Sequence, residues 1–139
     1  MREIQTHFDG LGLTELCRVT ACDEPHPVNG ANHRYRLCRV LTEQEIDGIR
    51  TEHCEPAHIQ DVGFIQFQRG PRNMIDSTPG TLDGAVLAVL IDRQEAFQRG
   101  PFACPENEIV LGHLRAALAA LIARAQERAA RSVLGKNVK

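Results

Sequence analysis

The sequence predicts an α+β domain: an N-terminal antiparallel sheet followed by two C-terminal helices, the last one long and dimer-forming. Two observations carry this. Strand-like alternation is confined to the first half, over residues 33–41 and 62–68. Helical spacing then takes over from Thr81, with no strand after it to close a parallel βαβ crossover. At 139 residues the chain fits one domain over 1–139, able to bury about two thirds of its unfolded surface. Within it, residues 1–60 form a less assignable N-terminal region with a strand, and residues 61–139 hold a strand plus the two helices.

Residues 1–32 show turns rather than periodicity, with Asp9-Gly10, Gly12 and the breaker-rich DEPHPVNG over 23–30. HRYRLCRVL (33–41) alternates through Tyr35, Leu37 and Val40 and predicts a half-buried strand. Residues 42–51 then form a short polar helix, because Thr42 followed by Glu45 is a capping box. VGFIQFQ (62–68) supplies Phe64, Ile65 and Phe67 to a second strand, antiparallel to the first. A helix opens after Thr81 as N-cap, with Asp83 in its first turn and Ala85, Val86, Val89, Leu90 and Phe97 as its apolar set, and stops at Gly100-Pro101. The last helix opens at Pro105, with Glu106 and Glu108 near its positive end, and runs to about Arg131. Val110, Leu114, Ala117, Leu118, Leu121 and Ala125 form its expected buried stripe.

Composition excludes several classes of function. A net charge of −2 lacks the basic excess that a general nucleic-acid or membrane-surface binder needs, so no DNA, RNA or membrane partner is expected. The longest nearly apolar run, 85–91, is far short of the roughly 20 residues of a membrane helix. Five cysteines without a CxxC pair, in a chain whose start lacks a secretion signal, read as reduced cytosolic thiols. Cys54 and His58 lie four apart, but Pro56 interrupts them and no second pair completes a zinc site, so no metal is expected. GxSxG, GxxxxGK[ST] and GxGxxG are all missing, and neither a catalytic residue nor a cofactor is expected.

The pentapeptide FQRGP occurs at 67–71 and again at 97–101. The first copy is expected to end a strand and the second a helix, so Gly-Pro serves as punctuation, with an aromatic, an amide and an arginine at each element's end. The final helix, about 40 Å long, is too long for one small sheet to cover. Its alanines (Ala116, Ala117, Ala119, Ala120, Ala123, Ala125) and Gly112 permit close approach of another helix, which predicts a two-fold dimer. Arginines gather at element ends and along this helix, where guanidinium forks match phosphate oxygens.

FIQFQRGPR (64–72), AFQRGPFACPENE (96–108) and HLRAALAALIARAQER (113–128) together resemble the phage anti-Thoeris cyclic ADP-ribose sponge family, the first described Thoeris anti-defence family. The resemblance covers roughly the last eighty residues. It implies a phage protein acting in the cytoplasm of the infected bacterial host, where it binds and sequesters a cyclic ADP-ribose immune signal, glyco-cyclic ADP-ribose, without cleaving it. It also implies a ligand pocket where two protomers meet. The family's pocket roles fall on Arg72 and Arg124 for the pyrophosphate, Phe97 for stacking on adenine, and Asn107 for a base or ribose edge. Some members form hexamers and capture cyclic oligonucleotides at a second site, which nothing in this chain locates.

Asn107 and Arg124 are separated by 17 residues of one helix, hence about 25 Å, too far for a single nucleotide to bridge. Across a two-fold axis, residue 107 of one copy can sit beside residue 124 of the other. Two other readings compete with the sponge. One is an enzyme that cleaves such a nucleotide, with His113 or Glu106 as acid or base; the other is a structural or host-interaction phage protein in which the arginines are surface charge.

Overall fold

The computed structural model describes residues 1–12, 16–50, 58–71 and 74–132. Arg72, Cys54 and the Thr51 end of the first predicted helix lie outside them. The chain divides into two compact units, Met1–Gln66 and Phe67–Lys139.

The first unit is an antiparallel meander of four strands in sequence order: β1 (Arg2–Ile4), β2 (Cys17–Ala21), β3 (Arg34–Val40) and β4 (Ile59–Gln66), with helix α1 (Glu43–Ile49) between β3 and β4. β3, α1 and the antiparallel β3–β4 pairing match the sequence reading. β1 and β2 do not, being short strands inside a breaker-rich region. Partner strands supply their order: Ile4 pairs Val19, Val19 pairs Leu37, and Leu37 pairs Gly63 in one cross-strand row. The register shifts at Leu37/Cys38, leaving Val62 as an extra residue opposite, a bulge that bends β4. The other face carries ion pairs, Arg18 with Glu3 and Arg36 with Asp61, and the Arg34 guanidinium 5.0 Å over the Phe64 ring.

α1 begins as its sequence dictates. The Glu45 N–H donates to Thr42 Oγ1 at 3.3 Å, and the Thr42 N–H donates to Glu45 Oε2 at 2.9 Å. The helix buries Ile46 to 1% exposure, which contributes on the order of 2 kcal/mol.

The second unit opens with two bridges, Phe67 with Thr81 and Arg69 with Thr78. The predicted strand end at residue 68 is therefore corrected: Phe67 and Gln68 leave the sheet to pair with Thr81. Helices α2 (Asp83–Arg99) and α3 (Pro105–Ala130) follow. The N-cap of α2 is Leu82 rather than Thr81, because the Thr81 carbonyl accepts from the Gln68 N–H at 2.9 Å and its hydroxyl makes no cap.

The inner stripe of α3 reads Asn107, Leu111, Leu114, Leu118, Leu121, Ala125, in steps of three and four. Only Leu111, at 2% exposure, is fully buried among the described residues of the two helices. Val110 and Ala117, expected inside, are exposed, as are Ala85, Val89 and Leu90 of α2, whose inward positions are taken by Leu87 and Ile91. α2 is apolar on more than one side, so its periodicity could not select the buried face.

Candidate functional site

The two FQRGP copies share a device that the sequence did not reveal. In the first, Gln68 spans its turn: Nε2 donates to the Gly70 carbonyl at 3.1 Å and Oε1 accepts from the Gly80 N–H at 3.3 Å. In the second, Gln98 Oε1 accepts from the Cys104 N–H at 2.8 Å, and Nε2 donates to Glu108 Oε1 at 3.0 Å. Both amides thus brace the chain that follows. The backbones differ, since Gly70 adopts φ +81° whereas Gly100 is extended at φ −109° and ψ −168°.

Around the second turn, the expected site residue Asn107 is tied to Gln98, the neighbour in sequence of the other expected residue, Phe97. Asn107 Nδ2 donates to Gln98 Oε1 at 3.0 Å and to the Phe102 carbonyl at 3.1 Å. Phe97 is half-buried, with the Arg93 guanidinium 4.9 Å from its ring centroid. Arg93 was not singled out from the sequence. Its signal is the four-residue step to Phe97, which places both on one side of α2.

Arg124 stands toward the other end of the hairpin. It lines an open groove of about 560 Å³ with Phe67, Asp83, Val86, Leu87, Ala117, Ala120 and Leu121. No hydrogen bond or ion pair engages its guanidinium among the described residues. Other arginines are spent within the chain: Arg99 and Arg115 both face Glu95, at 4.0 and 2.8 Å, and Arg131 pairs with Glu127. Helical spacing puts Val86, Leu90, Arg93 and Phe97 of α2 on the groove side, and Val110, Ala117 and Arg124 recur on α3 every seven residues. Phe97, Arg124 and the exposed apolar residues between them thus belong to one face. A second groove, of about 390 Å³, lies between Leu82, Ala85, Leu118 and Ile122 and has Asp83 as its one charged residue.

Within one protomer, then, Phe97 and Asn107 flank the turn between α2 and α3, Arg124 lies toward the other end of α3, and Arg72 is outside the described residues. His113 and Glu106 occupy exposed positions of α3. Cys38 on β3 is unsuited to nucleophilic work, because burial, aided by its hydrogen bond to Asp61 at 3.2 Å, pushes its thiol pKa up. No group of three or more His, Cys, Asp or Glu able to hold a metal occurs among the described residues. Nor, among them, is any helix long and apolar enough to cross a membrane.

No protein-family model and no curated protein matches the chain.

Proposed function

We propose that this chain is a phage anti-defence sponge, which binds a cyclic ADP-ribose signal in pockets shared by two protomers and releases it unaltered. The observation that supports this best is the division of the binding groups. A stacking ring and an amide stand at one end of a helical hairpin, and an unpaired guanidinium stands toward the other, on a face that also leaves Leu90 42% and Val110 40% exposed.

Antiparallel pairing of two copies through this face buries those apolar side chains. It also sets Phe97 and Asn107 of one copy against Arg124 of the other, giving two equivalent pockets. Arg124 would hold the pyrophosphate bidentately while Phe97 stacks on adenine. Arg72, which follows the first FQRGP in sequence, would add a second phosphate contact. The protein acts, on this reading, in the cytoplasm of the infected host.

The test is recovery of the signal. The purified protein is incubated with glyco-cyclic ADP-ribose and filtered, and the retained fraction is heated. Depletion followed by release of the same compound supports a sponge; an altered product means an enzyme, and ligand left in the filtrate means neither.

A further inference from the structure

The orientation of the Asn107 side chain is fixed by a chain of donors and acceptors that begins at a backbone group. The Cys104 N–H can only donate, so the Gln98 atom 2.8 Å from it is the oxygen Oε1. That leaves Gln98 Nε2 toward the Glu108 carboxylate, an acceptor, at 3.0 Å. Asn107 in turn faces two acceptors, Gln98 Oε1 at 3.0 Å and the Phe102 carbonyl at 3.1 Å. Only an NH₂ group satisfies both, and both its protons are thereby spent. Turning the amide over would set Oδ1 against two oxygens. Asn107 therefore has its Oδ1 lone pairs left, and among the described residues nothing donates to them.

We infer that Asn107 reads its ligand through Oδ1 alone, as an acceptor that demands a donor such as the exocyclic amine of adenine, and that Gln98 is the positioning residue that enforces this polarity. The inference rests on the sponge reading, in which Asn107 faces the ligand. An adenine amine meets Oδ1 with an N–H. A hypoxanthine ring carries a carbonyl oxygen at the same position and sets lone pair against lone pair, so the site should select against it.

The test compares glyco-cyclic ADP-ribose with its hypoxanthine counterpart, titrated into the full chain. The wild-type protein should prefer the adenine compound about tenfold or more, the worth of one hydrogen bond made against one opposed. Gln98→Leu removes one of the two acceptors that hold Nδ2 and leaves only the Phe102 carbonyl to oppose a turned amide, so the preference should fall. The exchange Gln98→Glu/Glu108→Gln reverses donor and acceptor across that contact, yet keeps an oxygen facing Cys104 and Asn107, and should restore the preference. A merely structural role for Gln98 would weaken both compounds alike. If Gln98→Leu does not fold, the wild-type ratio and the exchange variant carry the test. Equal wild-type affinities, or a preference unmoved by Gln98→Leu, overturn the inference and leave the sponge standing. Binding of neither compound removes both.

Discussion

Asn107 and Arg124 stand on one unbroken helix, α3, about 25 Å apart along its axis. If residue 107 of one copy meets residue 124 of another, the two-fold axis passes near the midpoint between them, at the level of residues 115 and 116.

Ala117 lies beside that midpoint, exposed on the groove side. Ala117→Glu should bring two like charges together at the interface and yield a monomer. In an isolated protomer the same change at an exposed helical position alters stability by no more than about 0.5 kcal/mol. Sedimentation at micromolar concentration, beside a melting curve, separates the two. A wild-type monomer at that concentration would remove the shared pocket.

Phe97→Ala should weaken binding of glyco-cyclic ADP-ribose by roughly 1–3 kcal/mol, the range for stacking a base on an aromatic ring. Calorimetric titration measures it. Arg93 covers one face of that ring, so the ligand would take the other face or displace the guanidinium. Unchanged affinity would take Phe97 out of the site.

Gly70 is the one position in the first FQRGP turn where only glycine serves. At φ +81° an added Cβ would also come 2.7 Å from Ser77 Oγ, whose hydroxyl donates to the Pro71 carbonyl. Gly70→Ala should cost about 1–3 kcal/mol through left-handed strain and the lost contact. Gly100→Ala meets no such barrier, since its nearest neighbour would be 3.5 Å away at a negative φ. Denaturant midpoints of the two variants test the contrast.

Asp23 gives the sheet unit an acid-sensitive tie. Burial opposes its ionisation. The backbone N–H groups of His33 and Arg34, at 2.9 and 3.1 Å, outweigh that and hold its carboxyl below the ordinary value of 3.8. A carboxyl depressed in the folded state stabilises above its unfolded pKa, and the contribution is lost as pH falls through the folded one. Stability should therefore decline from about pH 4 downward. Asp23→Asn should flatten that decline and lower the melting temperature at neutral pH, as melting curves at several pH values would record.

The legible parts of the fold are those in which a local signal and the final packing agree. The Thr42–Glu45 box, the alternation around Tyr35 and Leu37, and Pro105 opening α3 are read within one turn of chain and hold in the structure. β1 and β2 carry no such signal, because their order is set by partners in the ladder. The helix faces were misassigned where apolar residues run round the whole helix, as from Leu82 to Ile91, and only the neighbouring helix decides which side is inner. For the proposed site, it was the resemblance to the sponge family that pointed to Phe97, Asn107 and Arg124, since residue types alone left the arginines as ordinary helix charge. That Gln98 would spend both ends of its amide inside the protein depended on the fold of the turn between α2 and α3.

The most direct test of the shared pocket mixes two inactive proteins. Arg124→Ala and Phe97→Asp should each abolish binding of glyco-cyclic ADP-ribose while remaining dimeric. In a dimer of one with the other, one pocket carries both lesions and the second carries none. Equal amounts, exchanged to equilibrium, put half the dimers in the mixed form, so about a quarter of the wild-type binding capacity should return, at wild-type affinity. Capacity that stays at zero while mixed dimers form would mean that Phe97 and Arg124 do not meet across the axis, and the account would be wrong.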